Sequence, residues 1–350
     1  MSESTSAEKE APLDEQDRVP CGSCYAPLPK SSSSRCGKCR KRHYCNRECQ
    51  VEDWKLGRHK TWCGKAGEVG YDFQVVDIAG KGKGVIALRG FAKAERVMYE
   101  RRILSCRTLS GIRPIAKSFK KLSEAEKNAI LDLFPSEADL FKKFSTNSMS
   151  CGEEDELGMD SGLFVTMSRL NHSCLSNTNH WYEPYLKSKV LFACRDIAEG
   201  EELTIAYSSE PSNKQYLLSH YGFVCTCEAC SNPEIAAKVK EIKRLDNEIL
   251  ILGMQMNSDM AIRAGKRLLK LYDELHWPTQ SYVRTCYDIF QVAIMKRATL
   301  KEGLHYMQLG LAMEQKQYEG LNEPERLGSI AKYASYLKHP ESHRNYLIAR

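Results

Sequence analysis

Residues 168–181, SRLNHSCLSNTNHW, set Asn171, His172, Ser173 and Cys174 side by side. A histidine two positions before a cysteine is raw material for three chemistries: an imidazole-activated thiolate nucleophile, a metal site, or a pocket wall. A nucleophilic dyad needs an orienting third group and an oxyanion hole, and no segment of the chain carries that signature. Metal competes strongly because the cysteines cluster. Of 15 in the chain, seven lie between Cys21 and Cys63, and three more form CTCEAC at 225–230.

The first cluster reads as pairs: Cys21-x2-Cys24, Cys36-x2-Cys39, Cys45-x3-Cys49 and His59-x3-Cys63. Two-residue gaps turn both sulfurs of a pair toward one ion, and x3 gaps suit a helical turn, where i and i+4 share a face. Eight ligands complete two tetrahedral zinc sites with no position open for water, so these zincs are structural. A segment this poor in apolar residues draws its folding energy from the metal. His43 lies off the pair pattern and is expected at the surface. CTCEAC supplies Cys225, Cys227 and Cys230, one short of a closed site, so either a coordination position is open or a fourth ligand comes from elsewhere. Cys106, Cys194 and Cys286 stand in apolar, periodic surroundings and read as small core residues. Cys151 lies in an acidic stretch, and Cys174 has the most suggestive context.

Other elements must hold these residues. The chain has 350 residues, 42% of them hydrophobic, and no run of 18 apolar residues that would span a membrane. Residues 1–19 are polar, with no apolar core of a secretory signal, and read as a disordered leader. An intracellular protein, nuclear or cytoplasmic, is the expectation, and clustered cysteines in a reducing compartment point to metal rather than disulfides. Ten Lys and Arg against three Asp and Glu lie between Cys21 and Cys63, which accounts for the net charge of +6. Two zinc ions and seven thiolates leave about +4 on that segment, a moderately basic module. After a linker, GKAGEVG, the pattern turns strand-like over 71–105, and 117–144 reads as helical with Ser123 as N-cap and Glu126 closing a capping box. CGEEDELGMDSG reads as a loop, and KVLFACRDI and EELTIAYS read as strands around the turn AEGE. Past Cys230, apolar positions at i, i+3 and i+4 mark helices near 234–253, 258–275, 279–298, 301–317 and 324–337, packed as loose helix pairs or as a repeat array.

CGKCRKRHYCNRECQVEDWKLGRHKTWC resembles a MYND finger, with an aromatic residue before a cysteine, a DW step and HK near the last cysteine. The resemblance covers 21–63 and implies Cys21, Cys24, Cys45 and Cys49 on one ion, with Cys36, Cys39, His59 and Cys63 on the other. Downstream, GKGKGVIA, RLNHSC, GEELTIAY and YGFVCTCEAC follow in the order of a SET domain with a post-SET zinc motif. Together these motifs resemble the SET- and MYND-domain family of protein-lysine methyltransferases. The implied architecture is α+β: a MYND-type finger at 21–63, a β-rich SET domain at 71–208, a post-SET zinc motif at 221–232, and a helical, tetratricopeptide-like C-terminal domain at 233–350. Two departures stand out. The finger precedes the whole SET segment, whereas the animal members insert it, and Ser176 stands where the family has proline.

The resemblance implies S-adenosylmethionine as methyl donor, a protein lysine as acceptor, and three structural zinc ions, the third held by Cys174, Cys225, Cys227 and Cys230. Tyr207 matches the catalytic tyrosine, whose hydroxyl would lie near the reacting nitrogen and the donor's methyl, so it counts among the cofactor-binding residues as well. Gly82 and Gly84 would admit the cofactor to the backbone, with Lys81 and Lys83 near its carboxylate. Asn171 and His172 would contact it beside its adenine, Phe223 would stack on it, and Asn147 would lie at the boundary with substrate. Met149, Tyr182, Phe192 and Tyr221 read as core packing rather than channel wall. A non-catalytic scaffold built from the same modules is the rival reading. Fingers of this kind bind proteins, often through proline-containing peptides, and sequence-specific nucleic-acid binding is not expected from so modest a basic surplus.

Overall fold

The computed structural model describes residues 18–23, 27–40, 42–55, 60, 63, 72–107, 112–155, 158–183, 188–208, 213–318 and 324–348. Cys24 and His59, two of the expected finger ligands, lie outside them, as do residues 1–17 of the leader expected at 1–19. Arg18 and Val19, its last two residues, are not disordered but pair in the first strand of the finger.

The described residues of the finger form two short antiparallel strand pairs and a helix. Strand β1 (Arg18–Pro20) pairs with β2 (Pro27–Pro29), β3 (Ser34–Arg35) with β4 (His43–Tyr44), and α1 (Arg47–Lys55) follows. Its buried centre is Cys21, Cys36, Tyr44 and Cys63, with almost no aliphatic side chain, as expected of a module folded around metal. His43 is not a surface residue. Its backbone bridges Cys21 and accepts from the Gly22 N–H at 2.7 Å, and its Nδ1 lies 2.7 Å from Ser33 Oγ. That pairing draws the ring inward to 9% exposure.

Three sheets follow. Hairpin β5 (Phe73–Ile78) and β6 (Gly82–Ala87) joins β14 (Glu202–Ile205) and the two-residue β11 (Asn171–His172) in the order β11-β14-β6-β5, with β11 parallel to β14. A second sheet has the order β12-β13-β7, from β12 (Thr178–Glu183), β13 (Ser188–Ala193) and β7 (Arg96–Arg101). The third has the order β8-β10-β9, from β8 (Leu104–Arg107), β9 (Met149–Asp155) and β10 (Gly158–Leu163). Val85, Met98, Phe164, Met167, Leu170, Leu191 and Leu203 form the core between them. Residues 151–155 and 158–162 are therefore paired strands, not loop, and Cys151 is a core residue at 1% exposure. Their acidic residues hide the alternation that marks a strand, and pairing with β8 supplies what local propensity does not.

The expected helical stretch resolves into α2 (Ile112–Phe119), α3 (Glu124–Leu131) and α4 (Leu140–Asn147), which bury Ile115, Ile130 and Phe144 against Leu104 and Leu163. Ser123 caps α3 as expected. Its Oγ accepts from the Glu126 N–H, and the Glu126 carboxylate accepts from the Ser123 N–H at 2.8 Å, closing a capping box. The C-terminal region is helical: α5 (Lys214–Tyr221), α6 (Glu228–Ser231), α7 (Pro233–Met254), α8 (Ser258–Glu274), α9 (Thr279–Ala293), α10 (Leu300–Tyr318) and α11 (Pro324–Lys338). From α7 onward each helix packs mainly on its chain neighbour, around Ile242, Leu268, Cys286 and Ile289. No described helix is long and apolar enough to cross a membrane.

An alternating chain of charges ties the finger to the first sheet. Arg42 donates to Asp53 on α1 at 2.9 Å and to Asp72, just before β5, at 3.3 Å. Asp72 also receives Arg89 at 2.8 Å, and Arg89 reaches Glu95 at 2.7 Å. Tyr44 donates to Asp53 at 2.7 Å from within the finger. Arg42, Asp53, Asp72 and Arg89 are all largely removed from water, so each charge is compensated on at least one side.

Candidate active site and metal centres

Three groups of cysteines converge. The sulfurs of Cys174, Cys225, Cys227 and Cys230 all lie within 4.8 Å of one another, as do those of Cys21, Cys45 and Cys49, and those of Cys36, Cys39 and Cys63. Tetrahedral zinc with Zn–S bonds of ~2.3 Å separates its sulfurs by roughly 3.8 Å. Cys174 Sγ stands 3.9 Å from Cys225 Sγ and 3.7 Å from Cys230 Sγ, and Cys36 Sγ stands 3.7 Å from Cys63 Sγ. The donor sets and spacings fit zinc. Both finger clusters interleave distant pairs, which makes the finger a cross-braced unit. In the third cluster the Cys174 N–H points at Cys227 Sγ (3.4 Å), and hydrogen bonds from Cys174 pull the Cys227 thiol down to about 4. That shift favours the thiolate, the form that binds a cation.

Cys174 belongs to the segment that frames a second site. From Leu170 to Cys174 the chain passes along β14 in parallel, with Asn171 opposite Thr204 and His172 opposite Ile205. Tyr207 follows β14 and is gripped at both ends by that segment. Its N–H donates to His172 Nδ1 at 3.0 Å, and its phenol donates to the Leu170 carbonyl at 2.6 Å. Rings gather around it: Tyr221 at 4.6 Å, His172 at 5.3 Å and Phe223 at 6.3 Å between centroids. Helix α5 ends at Gly222 in the left-handed conformation (φ 75°), which turns Tyr221 and Phe223 toward this cluster. Burial raises the Tyr207 phenol well above its ordinary value, with Tyr221 and Glu202 adding to the effect, and pushes Tyr221 up to about 12. Both phenols are therefore protonated donors at neutral pH.

The glycine hairpin lies on the other side of Asn171. A Cβ on Gly84 would come within 2.9 Å of Asn171 Nδ2 and 2.5 Å of Ile78, so only glycine lets β6 and β11 approach this closely. Above Gly82 (φ 72°) a Cβ would meet nothing within 4 Å, which leaves open space beside the backbone. Asn171 Nδ2 donates to the Lys83 carbonyl at 3.2 Å and to Glu202 at 2.8 Å. Lys81 pairs with the same Glu202 at 2.7 Å, and Lys83 faces Asp77 at 3.6 Å. The structure thus brings Gly82, Gly84, Asn171, His172, Tyr207 and Phe223 together, with both lysines already beside carboxylates. Aromatic faces and the open space over Gly82 suit a purine linked to a sulfonium.

Asn147 ends α4. Its carboxamide donates to the Lys143 carbonyl at 2.8 Å and to the Phe134 carbonyl, while Ser168 Oγ donates to the Asn147 carbonyl at 3.2 Å. It is thus joined to the turn preceding Asn171 through its backbone. Phe192 (2% exposed) packs with Val190, Trp181 and Tyr99, and Tyr182 with Phe164, as core residues should. Met149 packs against the core of the first two sheets. Tyr221, by contrast, stands beside Tyr207. Sequence reading also passed over Glu202 and Asn177. Asn177, at 3% exposure, donates to Glu201 (2.9 Å) and to the Glu202 carbonyl (2.8 Å) and accepts from the Thr204 N–H (2.8 Å). That clamp fixes the loop next to Ser176 without a proline.

On the finger, a groove of about 320 Å³ is lined by Cys36, Gly37, Lys38, Gln50, Val51, Trp54 and Lys55.

A SET domain model matches residues 82–208, and a MYND finger model matches residues 18–63. Histone-lysine N-methyltransferase set5 of Schizosaccharomyces pombe is 27% identical over 293 residues, 77% of this chain and 85% of that protein. Histone-lysine N-methyltransferase SMYD3 of Mus musculus is 32% identical over 290 residues, 77% of this chain and 62% of that protein. N-lysine methyltransferase SMYD2 of Rattus norvegicus is 26% identical over 248 residues, 65% of this chain and 54% of that protein. The chain therefore spans just over half the length of the two mammalian relatives.

Proposed function

Since the chain belongs to the SET- and MYND-domain family of protein-lysine methyltransferases, we propose that it transfers a methyl group from S-adenosylmethionine to the side-chain nitrogen of lysine in a protein. The observation that carries this reading is the grip on Tyr207, N–H to His172 and phenol to Leu170, inside a wall of aromatic rings.

When bound, S-adenosylmethionine supplies a methyl already activated by its sulfonium, so the protein has to align, desolvate and exclude water. Gly82, Gly84, the backbone of Asn171 and His172, and the Phe223 ring are the residues that would hold the donor. Lys81 and Lys83, turned from Glu202 and Asp77, would face its carboxylate. Asn147 would mark the boundary with substrate through its tie to Ser168. Tyr207 directs its phenol at the Leu170 carbonyl, which would hold that oxygen beside the acceptor amine. The acceptor must arrive neutral. Holding a lysine with pKa ~10.4 deprotonated near pH 7 costs on the order of 4–5 kcal/mol. Tyr207, Tyr221 and Phe223 lower that cost by desolvating the ammonium.

The zinc ions, three per chain in this reading, are structural. The family's pairing would add Cys24 to Cys21, Cys45 and Cys49, and His59 to Cys36, Cys39 and Cys63. The finger groove takes a proline-containing peptide against Trp54 and Val51, with Lys38 and Lys55 at its rim. The experiment that tests the central reading incubates the full chain with methyl-labelled S-adenosylmethionine and cell extract, then analyses hydrolysed protein. Label in methyl-lysine is expected; label nowhere, with the donor bound, leaves the scaffold reading.

A further inference from the structure

We propose that His172 is a positioning residue, a strut from the Cys174–Cys225–Cys227–Cys230 centre to the backbone of Tyr207, so that filling that centre sets where the phenol stands. The inference rests on Tyr207 being the residue at the reacting methyl and deepens that reading.

The geometry has a direction. A backbone N–H can only donate, so His172 Nδ1, 3.0 Å from the Tyr207 nitrogen, is the acceptor. The proton of the neutral ring then sits on Nε2, which lies 3.3 Å from Cys174 Sγ. A coordinated thiolate is an acceptor, so the sequence of bonds agrees end to end: sulfur accepts from Nε2, and Nδ1 accepts from Tyr207. Metal ligands commonly have their orientation fixed by such outer partners. Here the partner is itself bonded to the site of chemistry.

The rest of the scaffold leaves room for this role. Strand β11 is two residues long, held by its parallel pairing with β14 and by the Ser173 N–H to the Ile205 carbonyl at 3.1 Å. So short a strand is not stiff by itself. Leu170, two residues before His172, accepts a hydrogen bond from the Tyr207 phenol, so the same segment holds both ends of that residue. On its open side the imidazole is flanked by Phe223 at 6.0 Å. A shift of Cys174 moves the imidazole, and with it the backbone of Tyr207 relative to the Leu170 carbonyl.

Two variants separate the two ends. The side chain of His172→Asn places an oxygen near the Nδ1 position but does not reach Cys174. That of His172→Gln reaches toward Cys174 but no longer meets the Tyr207 N–H. In the full chain we would follow amide exchange of the peptide carrying Tyr207 by mass spectrometry, and zinc transfer to a chromophoric chelator. His172→Gln should speed exchange at Tyr207 and lower kcat, each about tenfold or more, with the KM for S-adenosylmethionine within about threefold. His172→Asn should keep that amide protected while releasing its third zinc about tenfold faster. In the unsubstituted chain, withdrawing that zinc should speed exchange at Tyr207 and leave the β5–β6 hairpin unchanged. The same treatment of His172→Gln should add nothing at Tyr207. Exchange at Tyr207 that ignores zinc in the unsubstituted chain overturns the strut, and this arm decides alone if either variant does not fold. Equal protection of Tyr207 in both variants overturns it too. Coupled exchange without methyl-lysine would uphold the strut and remove the transferase reading.

Discussion

Lys189 Nζ lies 3.3 Å from His180 Nδ1 across the β12–β13 pair, although Lys189 is only 4% exposed. Two basic groups are thus set together inside the SET core. Burial lowers Lys189 to about 8, and loss of water together with the Lys189 charge lowers His180 to about 3. The folded Lys189 pKa lies below that of a free lysine, so between the two the unfolded chain binds more protons and stability rises with pH. Below about pH 8 the full penalty applies. Lys189→Met should therefore stabilise the protein at pH 7 by up to about 3 kcal/mol, and the gain should shrink toward pH 10. Urea unfolding of both proteins at pH 7 and 9.5 checks this. An equal difference at both values would remove the buried charge as its cause.

Tyr207→Phe deletes the phenol that meets the Leu170 carbonyl and keeps the ring in its aromatic setting. Methyl transfer should fall by about 10²-fold or more. Calorimetric binding of S-adenosylmethionine should change little, because Gly82, Gly84, Asn171, His172 and Phe223 would carry most of the hold on the donor. Parallel losses of binding and rate would instead assign Tyr207 to donor binding alone.

Metal analysis of the purified chain should give three zinc ions, and Cys174→Ser should give two. Because Cys174 anchors the segment whose backbone at Asn171 and His172 would hold the donor, the same substitution should weaken S-adenosylmethionine binding about tenfold or more. Three zincs in the variant would show that the CTCEAC cysteines close their site without Cys174.

Arg42→Ala leaves Asp53 without its guanidinium and Asp72 with Arg89 alone. Removing one partner from a buried ion network costs about 3 kcal/mol. The melting temperature should drop, and finger zinc should pass to a chelator sooner than zinc at Cys225. An unchanged melt would mean that the finger and the first sheet are joined by other contacts.

Val51→Asp puts a carboxylate into the finger groove beside Trp54. Binding of a proline-containing peptide, read by Trp fluorescence, should weaken about tenfold while transfer to a free short substrate persists. Unchanged peptide binding would move the docking site off this groove.

Much of this architecture was legible because metal ligands announce themselves by spacing. Cys36 and Cys39, or Cys225, Cys227 and Cys230, can be read as sets without knowing the fold. Asn171, His172 and Tyr207 were legible as motif residues, and Ser123 with Glu126 as a cap, since those signals are local. The β9–β10 hairpin, the burial of His43 and Cys151, and the place of Tyr221 were not. Each depends on a partner far along the chain: β8 for the hairpin, Cys21 for His43, Tyr207 for Tyr221. Glu201 and Glu202 are adjacent and chemically alike, yet one serves Asn177 and the other Lys81 and Asn171. Which carboxylate does which is decided by strand direction, and local pattern does not carry that.

The link from Arg42 to Asp72 also bears on the order in which the chain acquires its shape. The finger leaves the ribosome before β5 does, and it can fold as soon as its cysteines find metal. A finished finger then presents Arg42 to Asp72 while the SET strands are still pairing. Zinc supply during synthesis would thus be felt beyond the module that binds it, as a change in how readily the first sheet forms.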